Sequence, residues 1–116
     1  MLKVVKFQGL DLTMGVKEKI ALERALGGQS PLNFIFKMIG DGDIEQLDMS
    51  QLKLPNIEFM VLVLFHSAQK LNHGINQEKM FDIVDAFLEE KENSVMSLLT
   101  VVVDVLRVAK YLPEEE

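Results

Sequence analysis

The chain has 116 residues, 48% of them hydrophobic, and contains no cysteine. This length favours one domain, and the hydrophobic content is sufficient for a core, so disorder of the whole chain is excluded. A formal net charge of −6 disfavours nucleic acids and anionic membrane surfaces as partners, because both attract basic proteins. The absence of cysteine excludes disulfide scaffolds, thiolate zinc sites and cysteine nucleophiles.

The N-terminal segment, residues 2–13, predicts a β-hairpin. Its sequence LKVVKFQGLDLT combines alternating apolar residues with β-branched residues. Gln8 and Gly9 separate the two apolar runs, and glycine can adopt the positive φ that a two-residue hairpin turn requires. We expect no signal peptide here, because no long apolar run follows the two lysines.

Two helices are predicted next. The sequence VKEKIALERALGG is amphipathic, and its Gly27-Gly28 pair is typical of a helix C-terminus. Ser30 followed by Pro31 predicts the start of a second helix over residues 31–40. Phe34 and Phe36 in this helix point about 200° apart around its axis, so they cannot both face one core.

Residues 40–54 form the longest irregular and most acidic stretch. Asp41, Asp43 and Glu45 alternate as in the start of an EF-hand loop. That motif requires glycine at its sixth position and glutamate at its twelfth, which are Gln46 and Leu52 here. We therefore predict an acidic loop without a calcium site.

The segment NIEFMVLVLFHSAQKLNHG, residues 56–74, begins with an apolar run from Phe59 to Phe65. A membrane span needs roughly 20 apolar residues, so this run is too short to be one. We predict a helix from Pro55 to about Asn72, ended by Gly74 and buried at the centre of a small bundle.

His66 and His73 are the only histidines. We expect them two turns apart on one face of this helix, with their Cα atoms about 10 Å apart, which is too far for one metal ion. We therefore expect two partly exposed histidines and no metal. Because no catalytic serine motif or triad order is recognisable either, we expect no enzyme activity and no cofactor.

Two helices complete the chain. Asn76 is a suitable N-cap for QEKMFDIVDAFLEEK, whose core residues have helical spacing: Met80, Ile83, Val84, Phe87 and Leu88. Within the apolar segment 95–112, the stretch VVVDV could be read as a strand. Its polar residues recur every three or four positions, which predicts a helix with one polar stripe. The tail, residues 113–116, is predicted to be flexible and acidic.

The predicted fold is mainly α within an α+β class: a single domain over residues 1–116, with a short N-terminal β-hairpin and a compact bundle of about five helices over 15–112. The helices at 31–40, 55–72 and 95–112 are apolar over more than the usual stripe. We therefore expect some apolar surface to meet another subunit or a client polypeptide. The candidate contact residues are Phe34, Phe36, Val102, Val105, Leu106 and Ala109.

The order of these segments resembles the tail assembly chaperones of long-tailed phages and prophages of Gram-positive bacteria. The similarity lies in the hairpin, in LERALGGQSPLN at 22–33, in LPNIEFMVLVLFHSAQKLNHGINQEKMFDIVDAFLEE at 54–90 and in the last apolar helix. The resemblance covers nearly the whole chain, although its motifs are structural and none is diagnostic alone.

This resemblance implies a non-enzymatic, oligomer-forming helical protein that acts during virion assembly. Such a protein binds the tape measure protein and keeps it soluble while the tail tube forms, with the major tail protein as a second candidate partner. It acts in the cytoplasm of the bacterial host and is absent from the mature virion.

Two alternatives remain open at the level of sequence. One is a small helical regulatory or adaptor protein that dimerises through its last helix and binds a host or prophage protein. The other is an enzyme or metal protein that uses His66 and His73.

Overall fold

A computed structural model describes residues 3–39 and 56–113. Within these residues, a short antiparallel hairpin precedes five helices in a compact globule, which confirms the predicted fold class. The predicted acidic loop at 40–54, with its EF-hand-like start, lies outside the described residues, as does all but the first residue of the predicted tail. No helix in the described ranges is long and apolar enough to cross a membrane.

The hairpin forms as predicted. Strands β1 (Val5–Phe7) and β2 (Leu10–Leu12) pair antiparallel, with Phe7 opposite Leu10. Gln8 and Gly9 form the turn with φ of 47° and 80°, which is the doubly left-handed geometry of a tight hairpin. Phe7, Leu10 and Leu12 are buried, so one side of the hairpin faces the core.

Helix α1 (Val16–Ala25) ends at the predicted glycine pair. The N–H of Gly27 donates to the Arg24 carbonyl at 3.1 Å, and the N–H of Gly28 donates to the Glu23 carbonyl at 2.8 Å. This bonding pattern is a Schellman motif, which needs a left-handed residue at the position of Gly27. Gly27 has a φ of 75°, so its conformation meets this requirement.

Each of the other helices begins at a polar side chain whose oxygen accepts a hydrogen bond from a backbone N–H of the first turn. Helix α2 (Pro31–Ile39) starts with Leu32 N–H donating to Ser30 Oγ at 3.1 Å. Asn56, Asn76 and Ser94 cap the three remaining helices in the same way. These helices are α3 (Ile57–Ala68), α4 (Gln77–Glu89) and α5 (Val95–Val108).

Helix α3 is the centre of the bundle, as predicted. It packs against α1, α4, α5 and β2, and Phe59, Met60 and Leu64 on it are fully buried. Other fully buried side chains come from the hairpin and from α1, α4 and α5, and among them are Leu12, Leu22, Met80, Leu98 and Leu106. An all-round apolar helix suits this position because other elements cover most of its circumference.

Helix α3 ends at Ala68, four residues before the predicted end at Asn72. The Asn72 side chain instead joins this end of the helix to the hairpin. Its Nδ2 donates to the Asp11 carbonyl at 2.7 Å and to the Ala68 carbonyl at 2.9 Å, and its Oδ1 accepts from the Asp11 N–H. The Ala68 carbonyl also accepts the backbone N–H of Asn72 at 3.2 Å, so Asn72 closes the end of the helix while its side chain holds the hairpin.

Candidate interaction groove

A surface groove lies between α3, α4 and the end of α1, with a volume of about 670 Å³. Its apolar lining comes from all three helices: Ala25, Ile57, Val61, Leu62, Phe65, Phe81 and Val84. Val61 and Val84 are buried and form its base, whereas Ile57 and Phe81 remain 47% and 44% exposed. Such a concave apolar surface is typical of a binding site for another apolar group.

The spacing of apolar residues explains why the groove forms. On α3, the lining residues Ile57, Val61 and Phe65 recur every fourth position, so they share one face of the helix. Helix α3 is apolar on every side, and α1, α4, α5 and β2 do not cover this face completely. The surplus of apolar surface predicted from the sequence therefore emerges here.

The rim of the groove is acidic. Glu58 on α3 and Asp85 on α4 contribute to its lining, and none of the lining residues within 3–39 and 56–113 is a lysine or arginine. Asp85 belongs to a row of exposed carboxylates on α4 spaced four, three and four residues apart: Glu78, Asp82, Asp85 and Glu89. Because this spacing keeps the row on one helix face, its negative potential extends along one side of the groove.

The predicted contact residues of the last helix are not on this surface. Val102, Val105 and Leu106 are fully buried, and Ala109 is 2% exposed. All four pack into the chain's own core, because α5 lies against α3 and the hairpin. Their assignment as a contact surface is therefore corrected: in this fold they have no surface to offer a partner.

The two phenylalanines of α2 point in different directions, as predicted. The Phe34 ring stacks on Phe59 with centroids 4.6 Å apart, and Phe34 packs at the edge of the core. Phe36 is 55% exposed. Neither residue lines the groove, so Phe36 is a separate exposed apolar site and its role as a contact remains a prediction.

Sequence reasoning missed Ile57 and Phe81 as surface residues. Phe81 follows directly after the buried Met80, so it falls outside the core stripe of α4. A large aromatic residue outside that stripe was the available signal for an exposed binding position. Ile57 carried no comparable signal, because nearly every neighbour on α3 is apolar.

The two histidines do not lie on the same helix. His66 lies on α3, half-buried, with its ring edge-on to Phe65 at 5.0 Å, and burial lowers the pKa of its imidazole. His73 lies beyond the end of α3 and is exposed, so the prediction that both share one helix was wrong. Among residues 3–39 and 56–113, no group of three histidine or carboxylate side chains could hold a metal ion.

The fold and groove together define the chain as a small, mainly helical protein with an N-terminal hairpin and an acidic-rimmed apolar groove. Comparison with known protein families found no match, and neither curated proteins nor solved structures gave one.

Proposed function

We propose that this chain is a protein-binding chaperone whose client is the tape measure protein of a phage tail. The observation that supports a binding role is the groove, in which Ile57 and Phe81 leave apolar surface open to solvent. Such surface stabilises a complex when a client covers it, because apolar area is removed from water. The resemblance to tail assembly chaperones supplies the identity of the client.

The shape of the groove favours a helical client segment. Helix-in-groove recognition places an apolar helix face between neighbouring helices of the receptor. The groove follows α3 from Ile57 to Phe65, which corresponds to about 12 Å or two helical turns. A client helix would contribute two or three apolar side chains over that length. The acidic rim favours lysine or arginine beside those apolar residues.

Co-expression tests this proposal. A tape measure protein from a long-tailed phage of a Gram-positive host should be soluble with this chain and aggregate without it. Phe81→Ser should reduce the soluble fraction, because it removes an aromatic side chain from the groove. Leu71→Ser is the control, since it removes a 41% exposed apolar side chain that does not line the groove and is not a candidate contact residue. A tape measure protein that is insoluble in every combination would contradict the proposed function.

The regulatory alternative loses its specific support. That hypothesis had the chain dimerise through its last helix, but Val102, Val105 and Leu106 of α5 are fully buried within one copy. We therefore propose the chaperone role alone, acting in the host cytoplasm during assembly.

A further inference from the structure

The two helices that form the sides of the groove run in opposite directions. Gln69 Nε2 donates to the Phe65 carbonyl at 3.1 Å and to the Ile75 carbonyl at 3.0 Å. These bonds place the start of α4 beside the end of α3, and from there α4 runs back along α3. Phe65 and Gln77 therefore line the same end of the groove.

The opposite end of the groove holds both of the carboxylates that line it. Helix α4 rises about 12 Å from Gln77 to Asp85, the same rise as from Phe65 back to Ile57 on α3. Asp85 therefore lies level with the start of α3, where Glu58 follows Ile57. Glu58 and Asp85 are here called the carboxylate pair.

The carboxylate pair is not neutralised within the described chain. Both side chains are exposed, and neither accepts a hydrogen bond or forms an ion pair with any residue in 3–39 or 56–113. By contrast, the carboxylates of Glu18 and Glu23 on α1 each accept a hydrogen bond. Two negative charges at one end of an apolar groove repel each other, and a cation between them relieves that repulsion.

We propose that the carboxylate pair binds one lysine or arginine of the client helix and thereby fixes which end of that helix lies at the start of α3. This inference rests on the proposed function, because it takes the occupant of the groove to be a client helix. Arginine suits the pair best, since its planar group can donate to two carboxylates at once.

The rest of the groove sets the spacing between this cation and the apolar side chains of the client. Ile57, Val61 and Phe65 span about 12 Å, which three apolar client residues at four-residue spacing would match. The cation then lies within one turn of the apolar residue nearest Ile57. At the other end Gln77 is uncharged, so a cation there would gain no charge pair from the lining. The client motif is therefore an apolar stripe with its basic residue at one end.

The experiment uses the purified full chain and two synthetic helical peptides as probes. Both peptides carry three leucines at four-residue spacing, and they differ only one turn beyond the last leucine, where one has arginine and the other glutamine. Fluorescence anisotropy of the labelled peptides measures their dissociation constants. Glu58→Gln with Asp85→Asn neutralises the carboxylate pair. Glu78→Gln with Asp82→Asn is the matched control, because it changes the net charge equally at positions that do not line the groove.

We expect the wild-type chain to bind the arginine peptide at least about fivefold more tightly than the glutamine peptide. Neutralising the carboxylate pair should reduce this preference below about twofold, whereas the matched control should keep it above about threefold. The preference should also shrink in about 1 M salt, because charges exposed to solvent are screened. Circular dichroism verifies that both variants are folded.

A second measurement tests the orientation of the bound peptide. A nitroxide attached to the arginine end should broaden the backbone amide signal of Glu58 more than that of Phe65. A nitroxide attached to the other end should have the reverse effect, because it broadens the signals of the nuclei nearest to it.

Equal binding of the two peptides by the wild-type chain would overturn the inference, as would a preference that survives neutralisation of the carboxylate pair. The same holds for a preference that the matched control abolishes equally, or for broadening that does not depend on which end carries the nitroxide. If neither peptide binds, another occupant such as a second copy of the chain fills the groove, and the inference is also overturned. Equal binding of both peptides would leave the groove as an apolar client site, so this failure is distinguishable from failure of the solubility test.

Discussion

Tyr111 and Glu23, which are 88 positions apart in the chain, share a hydrogen bond of 2.6 Å in which the tyrosine hydroxyl donates to Glu23 Oε2. This contact joins the segment after α5 to α1. The Lys19 ammonium lies 5.7 Å from the centroid of the same tyrosine ring, a cation–π distance. Through this cluster, the segment that follows the last helix is attached to α1.

The ionisation of Tyr111 should report on this contact. Burial raises the pKa of its phenol, and the hydrogen bond and negative charge of Glu23 raise it further. Because the chain has one tyrosine, phenolate absorbance follows this group alone. We expect a higher titration midpoint in the folded protein than in urea, and a lower one in Glu23→Gln than in wild type. Equal midpoints for folded and unfolded protein would contradict the contact.

Because the pKa of Tyr111 is raised, the free energy of unfolding should depend on pH in the alkaline range. The folded pKa of Tyr111 lies above the unfolded value of about 10, so its contribution is fully present below that pH. It is lost as the pH rises further, because the unfolded chain then releases the proton more readily. Above pH 10, the free energy of unfolding measured with urea should fall more steeply with pH for wild type than for Tyr111→Phe, because phenylalanine cannot ionise at this position.

His66 should have the opposite pH dependence. Burial lowers its pKa, so the folded state favours the neutral ring. The contribution of neutral His66 to the free energy of unfolding is therefore fully present above the unfolded pKa of about 6.5. It is lost as the pH falls, because the unfolded chain then binds the proton more tightly than the folded chain does. Between pH 7.5 and 5, the urea midpoint of wild type should fall more than that of His66→Gln.

His73→Gln is the control for this experiment, since His73 is exposed. It should retain the wild-type pH dependence. If His66→Gln also retained it, burial of His66 would not be its source.

Asn72 should be important for stability although its side chain is only half-buried. Replacing it with alanine removes the bonds to Asp11 and Ala68 that join the hairpin to α3. We expect Asn72→Ala to lower the free energy of unfolding by about 1–3 kcal/mol, since it leaves partly buried backbone groups without partners. Chemical denaturation measures this change. His73→Ala, one position further along, should remain within about 0.5 kcal/mol of wild type.

The corrected position of α5 predicts a difference between two apolar substitutions. Leu106 is fully buried, whereas Phe36 is 55% exposed. Leu106→Ala should cost about 2–5 kcal/mol of unfolding free energy, because it creates a cavity in the core. Phe36→Ala should change it by less than about 1 kcal/mol. If Leu106→Ala were as mild as Phe36→Ala, α5 would not be packed as described.

Two helix ends provide a reciprocal test of backbone conformation. Gly27 and Lys110 both have left-handed φ angles, 75° and 70°, directly after their helices. An added Cβ at Gly27 would meet no neighbouring atom within 4 Å, so Gly27→Ala should cost about 1 kcal/mol from backbone strain alone. Lys110→Gly removes that strain and should raise stability by about 0.5 kcal/mol, after the greater flexibility of unfolded glycine is deducted. Thermal unfolding of both variants measures these opposite shifts.

Local features of the fold were predictable from particular residues. The predicted turns and helix caps are formed by the expected residues: Gln8-Gly9, Gly27-Gly28, Ser30 and Asn76. Their positions were predictable because each of these interactions involves backbone groups only a few positions away. The helical state of α5 followed in the same way from the spacing of its polar residues. The end of α3 could not be predicted in this way, since Asn72 there bonds to Asp11, which is 61 positions away in the chain.

The candidate site could not be located by such local reasoning. Helical periodicity indicates which side chains share a face, but several faces of α2, α3 and α5 were similarly apolar. Which of them remains exposed depends on the surfaces that the other elements cover. The sequence by itself therefore determined the hairpin, the helices and an excess of apolar surface. Only the tertiary structure decided that α5 is buried against α3 and that the excess forms a groove between α3 and α4, because burial depends on contacts between segments far apart in the chain.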